Sequence, residues 1–120
     1  MTERTLRFRW RQHLRRRCDF QRIFKRRCVV SRPVLVVHVD RNDLGYTRLG
    51  ISTPRSVGRA VARNRLRRLI REAFRLRQRD LPEGLDIVCV AKPNPTPTLS
   101  DYIDVLPNLV RTATTKLNRR

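Results

Sequence analysis

The period of apolar and polar positions changes several times along the chain, and each change marks an element. Phe20, Ile23 and Phe24 recur at helical spacing behind Asp19, whose carboxylate suits a helix cap, so a short helix is predicted there. The apolar "CVV" around Val29 is a candidate first strand. "VLVVHVD" (Val34 to Asp40) is β-branched and bounded by Pro33 and the turn-like "RNDLG", which predicts a strand. "YTRLGIST" (Tyr46 to Thr53) is expected to pair back on it as a hairpin, with Gly45 in the connection.

After Pro54 the period lengthens to that of a long helix, with Ser56 as the expected cap. At about 100° per residue, Ala62, Leu66, Leu69, Ile70, Ala73, Phe74 and Leu76 share one arc. Arg67, Arg71 and Arg75 line the opposite side, beside Asn64 and Arg68, while Arg59 and Arg63 fall at the border. "LDIVCVAK" (Leu85 to Lys92) is a near-continuous apolar run, which suits a strand buried on both faces. "PNPTPTLS" reads as an extended linker, with Ser100 the expected cap of a last helix. Ile103, Leu106, Leu109, Val110, Ala113 and Leu117 would face inward there, and Pro107 should kink that helix or postpone its start.

The order is α-β-β-(β)-α-β-α, an α/β (α+β) two-layer sandwich over residues 18–120. Residues 1–17 are basic and lack a sustained apolar period, so they read as an arm poorly ordered without a partner. Within it, Phe8 and Trp10 suit either anchoring to the body or stacking on a base.

Charge alters this picture. The 120 residues carry a formal net charge of +19, which opposes compaction and calls for a polyanion. Only three of the 29 basic residues are lysine (Lys25, Lys92, Lys116); arginine forks phosphate and stacks on bases better. A genome rich in G and C gives the same arginine bias, but it does not explain the charge. Arg55 to Arg79 holds ten arginines and one acid, Glu72. Solvated helices mix signs to gain i, i+4 pairs, whereas here like charges recur at 59, 63, 67, 71 and 75. A membrane surface is disfavoured because the apolar arc is needed for the core. Helix-turn-helix DNA readers pack the reading helix on another helix, while strands flank this one. Phe20 and Phe24 suit the stacking of unpaired RNA bases, although at least one of them is expected to be core.

Catalytic chemistry is absent from the pattern. No acids and histidines pair at metal-ligand spacing, and there is no phosphate loop or nucleophile elbow. His38 on its strand suits packing or a groove. Cys18, Cys28 and Cys89 cannot all pair and are expected to be reduced and inert; a zinc site with His13 lacks regular spacing and a fourth ligand. Without a signal peptide or a membrane-length apolar run, the cytoplasm is the expected location.

"RSVGRAVARNRLRRLIREAFR" resembles the signature of the protein subunit of bacterial ribonuclease P, with Gly58–Ala60–Val61 and Arg63–Asn64–Arg65 at the family spacing. "DFQRIFKR" and "DIVCVAKP" also look like family counterparts, so the likeness runs over roughly residues 15 to 112. The resemblance implies a left-handed strand–helix–strand crossover, and a partner RNA that carries catalysis with Mg2+. That ribonucleoprotein is an endoribonuclease which removes the 5′ leader of precursor tRNA; the polypeptide alone would not be catalytic. Arg63, Asn64, Arg65, Arg67, Arg68 and Arg71 would face the RNA subunit, and Arg55 and Arg59 extend the candidate RNA-binding set. Phe20 and Phe24, with Leu35, Val37 and His38 of the strand, would form the leader cleft. Val37 stands where the family often has an aromatic residue. The alternatives are a ribosomal or RNA-chaperone protein without a processing role and, more distantly, a duplex-DNA binder.

Overall fold

Strands β1 (Val29–Arg32), β2 (Leu35–Arg41), β3 (Arg48–Ser52) and β4 (Leu85–Ala91) form one sheet in the spatial order β1-β2-β4-β3. The computed structural model describes residues 8–93 and 97–119. β2 is antiparallel to both β1 and β4, whereas β3 is parallel to β4. Three helices, α1 (Arg17–Arg26), α2 (Ala60–Arg77) and α3 (Leu99–Asn118), complete the α+β domain.

The expected hairpin of Tyr46–Thr53 on the preceding strand does not form. β3 pairs with β4, which separates it from β2. A parallel pair needs a crossover of a dozen residues or more, and α2 supplies it. β4 is apolar but for Asp86 because it is central: Leu85 to Cys89 are all buried, with β2 on one edge and β3 on the other.

Alternation splits the strands between two faces. Leu35, Val37 and Val39 of β2, with Ile87 and Cys89 of β4, meet Leu66, Ile70 and Phe74 of α2 and Leu106, Leu109 and Val110 of α3 in the main core. The other face carries a smaller cluster, Leu14, Ile23 and Val88, against which Phe20 and Val90 pack. Thus α2 and α3 form the helical layer, and α1 covers part of the sheet's far side.

Three helix caps differ from expectation. Pro54 leads into a 3-10 turn, Arg55–Val57, and Gly58 then takes φ 144°, so α2 begins after Arg59 rather than at Ser56. That φ favours glycine, which is why the turn can precede the helix. α3 is capped by Thr98, not Ser100. The Thr98 hydroxyl accepts from Asp101 N–H at 3.2 Å, and the Asp101 carboxylate accepts from Thr98 N–H at 2.8 Å. Pro107 neither breaks α3 nor delays its start; the helix runs through it, and the buried ring offsets the missing donor to Ile103. Asp19 lies in the first turn of α1, after the Arg16 cap, so it does not cap the helix.

Residues 1–7 of the expected arm lie outside the described residues. Residues 8–16 rest on the domain. Leu14 is buried, its N–H donates to Leu49 O at 2.8 Å, and His13 bridges Leu49 in parallel beside β3. Phe8 stacks on His13 with centroids 3.9 Å apart and tilts against Phe74 at 5.2 Å. Phe8 thus anchors the segment to the body, one of its two expected roles, whereas Leu14 was hidden among arginines that give no period.

Candidate nucleic-acid interface

The buried stripe of α2, Leu66, Ile70, Ala73 and Phe74, fixes which of its arginines reach solvent. Asn64, Arg68 and Arg71 are exposed, and with Val61 and Arg67 they line one shallow depression of about 390 Å³. Arg67 is half-buried and donates from Nε to Thr53 Oγ1 at 3.0 Å, which steers its guanidinium along the surface. Arg55 and Arg59 are exposed just ahead of the helix. Two members of the expected set stand apart. Arg65 donates to Pro97 O at 3.1 Å, toward α3, and Arg63 is half-buried with an Nε that has no hydrogen-bond partner among the described residues.

Glu72, the helix's single acid, acts locally. Arg75 Nε donates to its Oε1 at 2.9 Å and Arg75 Nη2 to its Oε2, which holds the carboxyl below its ordinary value. Arg75 is thereby paired, and the cationic row turns toward solvent at Arg67, Arg68 and Arg71.

The second surface lies where α1 crosses the sheet. Phe24 is 38% exposed and meets the His38 ring edge-on, with centroids 4.8 Å apart. Phe20 lies deeper, 6.3 Å from Phe24, and reaches over Gly50; a Cβ there would meet the Phe20 ring at 2.5 Å. Gly50 therefore lets α1 approach β3 closely. His38 has a lowered pKa because it is partly buried, and its Nδ1 has no partner among the described residues, so the ring is neutral at neutral pH.

Leu35 and Val37 do not belong to this cleft. Both are fully buried in the main core on the opposite face. A strand shows alternate residues to one side, so the partners of His38 on its face are Val36 and Asp40. The polar pair His38 and Asp40 two residues apart was the available signal.

Sequence reasoning also missed the charge network that fastens α1. Asp86, fully buried on β4, accepts from Arg48 Nε at 2.8 Å, Arg48 Nη2 at 2.7 Å, Asn42 Nδ2 at 2.9 Å and Arg22 Nη2. Arg22 Nη1 also reaches Asp40 at 2.6 Å. An aspartate inside an apolar run was its only mark. The two buried thiols are structural: Cys28 donates to Ala113 O at 3.1 Å, and burial pushes Cys89 up to about 12, while Cys18 is exposed on α1.

This α+β domain is matched among known proteins. The ribonuclease P family profile covers residues 8–114. The chain belongs to the ribonuclease P protein family. The ribonuclease P protein component of Clostridioides difficile is 36% identical over 100 residues, 82% of this chain and 88% of that protein. That of Thermotoga maritima is 42% identical over 82 residues, 68% of this chain and 70% of its relative. The RNase P protein structure from Staphylococcus aureus superposes with a TM-score of 0.74 at 30% identity, over 85% of this chain and 94% of that one. The Thermotoga maritima RNase P protein gives 0.73 at 33% identity, over 82% and 96%. Ribonuclease P and tRNA processing thus replace the ribosomal, chaperone and DNA readings. Among the described residues no helix is long and apolar enough to cross a membrane.

Proposed function

We propose that the two surfaces divide the work of a ribonucleoprotein that trims precursor tRNA. The row Asn64, Arg67, Arg68 and Arg71 binds phosphates of the RNA subunit, and the Phe24–His38 face holds the 5′ leader. What carries this reading is the separation of the two chemistries: exposed guanidinium groups on α2, and a half-open aromatic and neutral imidazole on the α1 side. Phosphate contacts supply affinity, while an aromatic ring beside a neutral acceptor suits an unpaired base.

The RNA supplies catalysis and holds Mg2+, which provides charge stabilisation and an activated water when bound. Four of the protein's carboxylates are already engaged by its own residues. Asp86 and Asp40 are taken by Arg22, Arg48 and Asn42, Glu72 by Arg75, and Asp101 by the α3 cap. No three His, Cys, Asp or Glu side chains come together among the described residues.

Two substitutions separate the surfaces. Phe24→Ala should weaken precursor tRNA binding by the assembled enzyme by about 1–3 kcal/mol and leave mature tRNA binding unchanged. Arg68→Ala should instead weaken assembly with the RNA subunit. Phe24 is exposed enough that its loss should move the thermal melt little, which melts of both variants check. If well-folded Phe24→Ala binds precursor and mature tRNA as the wild type does, the leader lies elsewhere.

A further inference from the structure

A second cleft, of about 380 Å³, opens between residues 13–15 and α2, alongside β3. Its size falls within the roughly 300–1,000 Å³ of small-ligand pockets. One wall is His13 and Arg15, the other Arg67 and Arg71, and the floor is Leu49 and Gly50. No carboxylate among the described residues lines it, so none of them answers its cations within the cleft. The cations converge: burial, then Arg15 and Arg71, hold the His13 imidazole below its ordinary value.

The wall is fixed in place. The Leu14–Leu49 hydrogen bond and the Phe8 ring against Phe74 root it to the sheet and the core. At its outer rim Arg15 lies over the Trp10 indole, 4.0 Å from the ring centroid, and donates to Trp10 O at 3.2 Å. Trp10 is nonetheless 75% exposed. With a guanidinium on one face, its other face is open, an arrangement that suits a nucleobase.

We propose that this cleft is a nucleotide-binding subsite: Arg15, Arg67 and Arg71 hold a phosphodiester, and Trp10 stacks the adjoining unpaired base. The occupant is the RNA subunit, because Arg67 and Arg71 also line the depression of α2 assigned to that RNA, which makes the cleft its continuation. The subsite rests on the proposed function and extends its RNA contact onto the N-terminal segment.

Trp10 is the only tryptophan in the chain, so its emission reports on this subsite alone. Titrating the full chain with the folded RNA subunit should quench that emission in step with assembly. Trp10→Ala should weaken assembly on the order of 10-fold, with Trp10→Phe recovering part of it. Arg15→Gln should lower the magnitude of the log K against log salt slope by about 1. Unchanged emission and an unchanged Trp10→Ala affinity, with the wild type assembling normally, would overturn the subsite and leave the proposed function standing. Quenching that appears only when precursor tRNA is added to the assembled enzyme makes the occupant the substrate, which also overturns it. Failure of the wild-type chain to bind the RNA subunit overturns both.

Discussion

Asp86→Ala is expected to cost the fold about 3 kcal/mol and to lower the melting temperature on the order of 10 °C. The carboxylate is fully buried, and it is the common acceptor for Arg48, Asn42 and Arg22. Removing it leaves two guanidinium groups facing each other in a chain that already carries +19. Both arginines are partly exposed and can turn to water, which keeps the loss at the lower end for a broken buried pair. α1 should loosen first, because Arg22 ties it to β4 through Asp86 as well as to β2 through Asp40. The same network sets an acid limit. Burial raises the Asp86 pKa, but hydrogen bonds from Arg48, Asn42 and Arg22 outweigh it and hold the carboxyl below its ordinary value of 3.8. A depressed folded pKa gives stability that is complete above the unfolded value and lost as pH falls below about 3.8 through the folded one. Wild-type melts should therefore fall more steeply below pH 4 than those of Asp86→Asn. Parallel curves would remove the ion network from the account.

The double substitution Arg68→Ala with Arg71→Ala should weaken assembly with the RNA subunit about 30-fold near 0.1 M salt. Each guanidinium that neutralises a phosphate adds roughly 0.7–0.9 to the magnitude of the log K against log salt slope, so the slope should become shallower by about 1.5–2. Thermal stability should move the other way. Both side chains are exposed, they repel their neighbours, and alanine is the better helix former. The free protein should melt no lower than the wild type. A face kept for solubility alone would show no affinity change, and a structural face would show a lowered melt.

Local patterns were legible where one side chain decides them. The apolar arc of α2 reads directly from its spacing, because Leu66, Ile70, Ala73 and Phe74 must share a face to be buried. β4 reads as a doubly buried strand because only a central position makes so continuous an apolar run stable. What the pattern does not carry is the choice of partner. Nothing in "YTRLGIST" distinguishes a hairpin on β2 from a parallel pair with β4, since that choice is settled some 35 residues later in the chain. Caps fail for a related reason: Ser56, Ser100 and Thr98 all offer a capping oxygen, and the Gly58 turn and the position of Asp101 decide between the available starts. The cleft suffered a phase error of one residue. Val36 and Val37 are the same residue type, so only His38 and Asp40 mark the half-open face. Residues 8–15 hold the largest surprise: Phe8 could be expected to anchor to the body, but its site at Phe74 and the burial of Leu14 beside Leu49 are set far along the chain.

The most direct test is reconstitution at low magnesium. The folded RNA subunit and a precursor tRNA with its 5′ leader are combined with and without this protein, and release of the leader is followed. The protein should restore cleavage that the RNA alone performs poorly under those conditions, and the gain should vanish at high salt as the arginine contacts are screened. A protein that binds the RNA tightly yet leaves the cleavage rate at the RNA-alone value would contradict the account.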